Sequence, residues 1–267
     1  MPHYARSYAQ QLALQYLPRK KAPAAFLGWT RQGFRCSHGE VALAVVTGAG
    51  TGIGRATALA LARRGLDVAL VGRTEATLRG AAKDAEASGV RAAVVRADVS
   101  RAEEVRRAAD AIVLLGVPHV VVNNAGTAGR KVRIEETSES EWDSVLGVNL
   151  KGVFLVSRAF LPAMRAAGAG RIVTIASISA TLGTEGLAAY CASKWGALGF
   201  TKSLAEELRG SGLQAISVLP GTVDTAMAAV GGFPPQMTAD DVARLVVFAA
   251  LDAPDAINGA SIECFGP

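Results

Sequence analysis

Seven short apolar runs constrain this chain more than any other feature: VALAVVT (41–47), DVALVG (67–72), AAVVRA (92–97), HVVVNN (119–124), RIVTIAS (171–177), LQAISVL (213–219) and ASIECF (260–265). Their hydrophobicity is continuous rather than alternating, the pattern of strands covered on both faces. Helix-periodic stretches fall between them at 53–64, 75–87, 101–115, 139–166, 189–209 and 238–251. Strands separated by helices argue for parallel pairing through crossovers. The expected fold class is α/β: a doubly wound parallel seven-stranded sheet with helices on both faces, one domain spanning 39–267. Ligands of such sheets bind beyond the carboxyl ends of the strands, where the winding reverses. That gathers Thr47 to Gly54, Gly72 and Arg73, Asp98, Asn123 to Gly126, and Ser177 on one rim.

Composition excludes several classes. The formal charge is +5, but six of the 28 basic residues precede Glu40, where no acidic residue occurs, and the remainder carries 22 basic against 23 acidic groups. The body has no basic bias, and nucleic acid is not an expected partner. The basic segment 1–38 reads as a disordered extension, a start placed too far upstream, or an organelle-targeting segment, although its only Ser and Thr residues are Ser7, Thr30 and Ser37. A cytoplasmic protein is expected, with a mitochondrial or plastid destination the alternative if that segment is a transit peptide. No apolar run approaches the ~18 residues of a membrane span, so no membrane partner is expected. Cys36, Cys191 and Cys264 are widely spaced and read as free thiols. The three histidines have no metal-ligand spacing, and no metal is expected.

TGAGTGIG, residues 47 to 54, joins the first strand to the first helix. Gly48, Gly50, Gly52 and Gly54, with Thr51 and Ile53 between, give the turn tight curvature and close backbone approach. The helix N-terminus behind it presents N–H groups to an anion. A pyrophosphate is the expected ligand. The same loop could serve a methyltransferase or be a plain strand-to-helix turn; a P-loop is excluded because Arg55 follows Gly54 and no G-K-[ST] is present. A dinucleotide site usually has an acid about 20 residues on, to bind the adenine ribose. Here Gly72 is followed by Arg73. A guanidinium where a carboxylate would repel a 2′-phosphate favours NADP(H), with NAD(H) the alternative and a solvated surface arginine the bland reading of Arg73.

YCASK places Tyr190 and Lys194 four apart at a helix start, on one face. A phenol of pKa about 10 needs roughly 4 kcal/mol of differential interaction to titrate near 7, and an ammonium at i+4 supplies part of it. Ser177, ending RIVTIAS, offers a hydroxyl to a carbonyl oxygen.

These motifs resemble the short-chain dehydrogenase/reductase family, in its compact single-domain branch with a Rossmann fold. The match runs in order through TGAGTGIG, ADV (97–99), NNAG (123–126), VNLKG (148–152), Ser177, YCASK and PGTVDT (220–225). By that resemblance Tyr190 is the general acid that protonates the carbonyl oxygen as hydride arrives from the nicotinamide. Lys194 lowers the Tyr190 pKa and binds the nicotinamide ribose, and Ser177 orients the carbonyl. Asn149 helps hold a water relaying protons to Lys194. Asp98 and Val99 match the adenine pocket, Asn124 the cofactor wall, and Val223 and Thr225 the carboxamide end. Thr51 stands where many NADP-dependent relatives have Arg or Lys, and Ala176 replaces a second serine. The β-ketoacyl carrier-protein reductases are the nearest functional analogues. Their basic docking positions fall on Gly168 and Ser211 here, with Arg165, Arg171 and Arg209 close enough to substitute.

The expected function is thus NADP(H)-dependent interconversion of a ketone and a secondary alcohol, with a 3-oxoacyl thioester one possible substrate. A noncatalytic dinucleotide-binding scaffold is the competing class, and a methyltransferase would leave Ser177, Tyr190 and Lys194 without a task. The segment AMAAVGGFPPQM (226–237) reads as a short, uncharged lid with Met227, Phe233 and Met237 as walls, pointing to a bulky or apolar small molecule. Ala159, Ala163, Ala197, Leu198 and Phe200 on the two longest helices exceed what solvated faces need. Relatives pair these helices across a two-fold axis, which implies a homodimer or homotetramer.

Overall fold

The computed structural model describes residues 42–266; the segment 1–38, with Cys36, and the expected domain start at 39 lie outside the described residues. Strand β1 (Leu43–Thr47) leads through helix α1 (Gly52–Arg63) to β2 (Asp67–Gly72), α2 (Glu75–Glu86), β3 (Ala92–Arg96), α3 (Ala102–Val113) and β4 (Pro118–Asn123). Then come α4 (Glu139–Leu146), α5 (Gly152–Ala167), β5 (Gly170–Ile175), α6 (Ala188–Glu207), β6 (Leu213–Pro220), the four-residue α7 (Ala228–Gly231), α8 (Ala239–Val247) and β7 (Ser261–Cys264). The seven strands form one sheet in the order β3-β2-β1-β4-β5-β6-β7, every neighbouring pair parallel. Winding reverses between β1 and β4, so their carboxyl ends open the crevice in which such sheets bind ligands.

The unbroken hydrophobicity of the strands follows from this double covering. Alternate residues of β1 point to opposite sides: Ala44 and Val46 into a layer with Leu61, Leu78 and Val246, and Leu43 and Val45 into one with Ile112, Phe160 and Leu208. Leu61 and Ile112 are fully buried, so truncating either to alanine is expected to cost about 2–5 kcal/mol.

Two helical stretches depart from the sequence expectation. The run 139–166 is one helical stretch only in outline, since a π-helical turn at Gly147–Lys151 separates α4 from α5. The expected helix 238–251 changes to π geometry at Phe248–Asp252 after α8. A π turn inserts a residue into the helical ladder, which periodicity alone does not announce. By length and composition 139–167 could cross a membrane, yet Val153, Leu155, Val156, Phe160 and Met164 of α5 are buried in the fold. The interface expectation also needs correction. Ala197 and Leu198 are buried inside the protomer, Leu198 against Ala176, Ala180 and Leu219, whereas Phe154 and Trp195 are the exposed large side chains of α5 and α6.

Candidate active site

The glycine turn and Asn124 build the floor of the crevice. Gly48 and Gly52 have φ of 65° and 50°, in the left-handed region that favours glycine. A Cβ on Gly54 would overlap the Gly48 carbonyl and the Asn124 amide, and one on Gly50 would overlap the Thr77 hydroxyl. Thr47 ties the two central strands together: its Oγ1 donates to Val122 O at 3.2 Å and accepts from the Asn124 and Ala125 N–H groups at 3.0 Å each. Asn124 Nδ2 donates to Thr47 O at 2.8 Å. Thr47 was visible in the glycine motif only as its first letter; its hub role depends on β1 and β4 being neighbours. The Thr51 side chain does not cap α1, and Thr51, Gly52, Ile53 and Gly54 line the crevice at the helix start. A backbone shaped this way, with an uncapped helix end and no Cβ at the crossing points, fits a pyrophosphate.

Arg73 and Asp98 sit together at the ends of β2 and β3, with Val99 beside them on the crevice wall. Burial works against ionisation of Asp98, but hydrogen bonds from the Ser100 side chain and backbone, with the charges of Arg73 and Arg101, hold its carboxyl below the usual range. Arg96 Nε donates to the Arg73 carbonyl at 3.2 Å, anchoring the backbone there. A Cβ on Gly72 would meet only the flexible end of Leu78, at 3.3 Å.

Tyr190 and Lys194 occupy the first turns of α6, and Lys194 is 5% exposed. The Lys194 Nζ lies 5.7 Å from the Tyr190 ring centre and donates to Ile175 O, at the end of β5, at 2.9 Å. Burial pulls Lys194 down to about 8. The expectation that Lys194 depresses the Tyr190 pKa is corrected: burial pushes the phenol up, opposed by a hydrogen bond with Ser177, and the neighbouring Cys191 raises it further. The physical reason is that withdrawal from water disfavours phenolate and ammonium alike. Ser177 does not end β5, which stops at Ile175. It caps the 3-10 turn Ile178–Ala180, its Oγ accepting from Ser179 N at 3.1 Å.

Asn149 lies on the π turn, 1% exposed. Its Oδ1 accepts from Thr127 N at 2.8 Å, and its Nδ2 donates to Thr127 O at 2.8 Å and to Ser193 Oγ at 2.9 Å. Ser193 in turn donates to Tyr190 O at 2.7 Å. The Asn149 side chain is therefore fully engaged by the Thr127 backbone and the Ser193 hydroxyl. Ser193 stands within YCASK, and nothing in the spacing of that motif connects it to residue 149.

Val223 and Thr225 stand where the last wall begins. Val223 is buried and bridges Met237, and Thr225 faces the Gly52 turn. Asp224 N to Met237 O and Gln236 N to Thr222 O, both 2.9 Å, close the base of the lid. Met227 and Phe233 line the crevice as expected, but Met237 belongs to the core beneath it. The whole crevice encloses about 690 Å³ and runs continuously from Arg73 to Phe233. Arg171, considered above for carrier docking, is 3% exposed and donates to Ala249 O and Ala253 O at 2.9 and 2.6 Å. It staples the end of α8 to the sheet and is unavailable to a partner.

Fold and cleft together define a dinucleotide-dependent oxidoreductase. Residues 42–231 match the short chain dehydrogenase family, and the chain belongs to it. It is 38% identical to a (3R)-3-hydroxyacyl-CoA dehydrogenase from Canis lupus familiaris, covering 84% of this chain and 95% of the relative. It is 37% identical to a 3-oxoacyl-[acyl-carrier-protein] reductase from Pseudomonas aeruginosa, covering 86% and 97%. Among solved structures, an actinorhodin polyketide ketoreductase with NADPH superposes with a TM-score of 0.79 at 32% identity, covering 85% of this chain and 96% of that one. The protein is an NAD(P)-binding oxidoreductase that acts on hydroxy or keto groups of small molecules.

Proposed function

We propose that the protein is an NADP(H)-dependent oxidoreductase that interconverts a ketone and a secondary alcohol, with 3-oxoacyl thioesters as a substrate class. The carrying observation is the meeting of Ser177, Tyr190 and Lys194 on one wall of a crevice whose other wall is the glycine turn. Bound NADP(H) supplies or accepts the hydride. The turn Gly48 to Gly54 would hold its pyrophosphate, Asp98 and Val99 its adenine, Arg73 its 2′-phosphate, and Asn124, Val223 and Thr225 the nicotinamide side. The names of the two acyl relatives and the NADPH carried by the ketoreductase support this reading.

In the reductive direction Tyr190 gives its proton to the carbonyl oxygen, and Ser177 donates to the same oxygen. Because burial holds the Tyr190 proton on, the group stands as an acid at neutral pH. Lys194, whose pKa of about 8 lies close to neutrality, can pass a replacement proton from a water held at the Asn149 carbonyl. Leu187 and Phe233 line the approach to this centre. A homodimer or homotetramer through α5 and α6 is the proposed assembly, with Phe154 and Trp195 at its centre; light scattering showing a monomer at micromolar concentration would count against it.

The test is NADPH consumption at 340 nm with 3-oxoacyl thioesters, steroids and small diketones. Tight NADPH binding with no turnover on any of them would replace this reading by a noncatalytic one.

A further inference from the structure

Beside Ser177 the crevice wall carries two more hydroxyl side chains, Ser179 and Thr184, which the chemistry above does not use. Both lie on the connection between β5 and α6. Ser179 belongs to the 3-10 turn Ile178–Ala180, and its backbone N–H donates to Ser177 Oγ at 3.1 Å. That bond holds it within one residue's reach of the hydroxyl assigned to the substrate carbonyl. Thr184 returns to the same wall where its carbonyl accepts from Leu187 N at 3.1 Å, in the turn that leads into α6. There the two side chains meet, Ser179 Oγ lying 3.2 Å from Thr184 Oγ1. The neighbouring wall residues Ile178, Leu187, Met227 and Phe233 are apolar.

The proton count of this pair leaves a donor over. A hydroxyl carries one hydrogen and two acceptor lone pairs. One hydrogen lies between the Ser179 and Thr184 oxygens, and the other has no acceptor among the described residues. Ser177 is placed differently: it accepts from Ser179 N and shares a hydrogen bond with the Tyr190 hydroxyl. Ser179 is only 8% exposed and still lines the crevice. A polar group so withdrawn from water gains most from a partner that enters with the ligand. The group that suits a spare donor is an acceptor oxygen, and it must lie a few bonds from the carbonyl held by Ser177.

We propose that the Ser179–Thr184 pair is a subsite for a second oxygen of the substrate, so that the enzyme favours 1,3-dicarbonyl compounds over simple ketones. This rests on the carbonyl-reductase reading of the crevice and narrows its substrate class. One carbon between the two carbonyl groups lets one oxygen face Ser177 and Tyr190 and the other face the pair. The pair acts on the unreacting oxygen and takes no part in proton or hydride transfer.

Ethyl 3-oxobutanoate and heptan-2-one have chains of equal length, and only the first has the second carbonyl. Each is assayed with NADPH on wild type, Ser179→Ala, Thr184→Val, Thr184→Ser and the double variant Ser179→Ala with Thr184→Val. All of them keep the main-chain bond from residue 179 to Ser177. In the double variant the ratio of kcat/KM for the ester over the ketone is expected to fall about three- to tenfold, the worth of one neutral hydrogen bond. The fall should come through KM, because a bond made alike in substrate and transition state leaves kcat unchanged. Each single loss leaves one hydroxyl with its hydrogen free and should give a smaller fall, while Thr184→Ser should keep the wild-type ratio. An equal change for both substrates, or a fall through kcat alone, would overturn the subsite and leave the pair a brace of the loop. Should the double variant fail to fold, a wild-type ratio in both Ser179→Ala and Thr184→Val would overturn it equally. Binding of ethyl 3-hydroxybutanoate and heptan-2-ol to protein saturated with NADPH, followed by nicotinamide fluorescence, reads the same contact without turnover, since an alcohol and a reduced cofactor do not react. The same affinity ratio in wild type and double variant overturns the subsite even where ketone reduction stands. A wild-type preference for the ester that the double variant loses, with no reduction of either ketone, upholds the subsite and faults the catalytic reading instead.

Discussion

Along its nucleotide wall the crevice is made of backbone, and along its substrate wall of side chains on a loop. The Gly48 to Gly54 turn is wedged among the Gly48 carbonyl, Asn124 and Thr77 so closely that a single added Cβ would collide. The lid between Thr225 and Thr238 is pinned at its base by the Val223–Met237 bridge and two main-chain hydrogen bonds, and its crevice-facing Met227 and Phe233 are exposed. Main-chain packing leaves little room for variation in the ligand that fits, whereas a loop can change residues without disturbing the sheet. The contrast explains why one half of the site can serve a cofactor common to a family and the other can differ with the substrate.

The reaction centre lies between the two walls and offers the largest effect. Tyr190→Phe should lower turnover by about 10²- to 10⁴-fold while leaving NADPH affinity nearly intact, since only the proton donor is lost. Stopped-flow turnover with fluorescence titration of NADPH checks both halves; near-normal kcat would remove Tyr190 from its role. The raised Tyr190 pKa also sets a direction. Reduction needs the protonated phenol and should hold steady through neutral pH, whereas alcohol oxidation needs the phenolate and should climb toward alkaline pH.

Lys194 tests the same centre through stability. The unfolded chain keeps this proton up to about 10.5, while the folded protein gives it up near 8. Between those values the unfolded state binds more protons, so stability rises with pH across that window. The drop amounts to about 3 kcal/mol. Lys194→Met should flatten the rise and add stability at neutral pH; urea denaturation of both proteins from about pH 7 to 10 measures it, and parallel curves would contradict it.

On the nucleotide wall, Arg73→Ala should weaken NADPH by about tenfold or more, the equivalent of roughly 1.5–3 kcal/mol for bonds to a charged group, and NADH far less. Adding Gly72→Asp should reverse the preference, because a carboxylate accepts ribose hydroxyls and repels the 2′-phosphate. The structure makes this change feasible, since the new Cβ meets only the movable Leu78 side chain. Fluorescence titration with both cofactors needs no substrate; an unchanged ratio would return Arg73 to an ordinary surface role.

What was legible in the sequence follows the same division. Strand identity and winding could be read because a doubly covered strand must be apolar along its length, and the glycine turn because backbone crossings exclude side chains. The π turn at Gly147–Lys151 could not be read, since its extra residue leaves the apolar spacing on either side nearly unchanged. Nor could the Thr127–Asn149–Ser193–Tyr190 chain of hydrogen bonds, which joins residues up to 66 positions apart by sequence number (127 to 193) only after the fold brings them together. Met237 was read as lid because composition does not tell an apolar wall from an apolar anchor. Arg171 looked available because a buried arginine and a docking arginine are the same letter, and only the carbonyls of Ala249 and Ala253 distinguish them.

The smallest effect probes the lid directly. A cation over a ring at an exposed site contributes about 0.5–1 kcal/mol, and Phe233 is 53% exposed beneath the Lys131 ammonium. Phe233→Leu keeps an apolar wall but removes the π face that the lysine meets. It should raise KM by a few fold for substrates that pass under the lid, in line with that energy, while changing NADPH affinity by less than about twofold because the nucleotide wall is held elsewhere. Steady-state kinetics beside NADPH titration gives both numbers on one preparation. If the substitution weakened NADPH as much as substrate, the lid and the glycine turn would be one mechanical unit, and the independence of the two walls would be wrong.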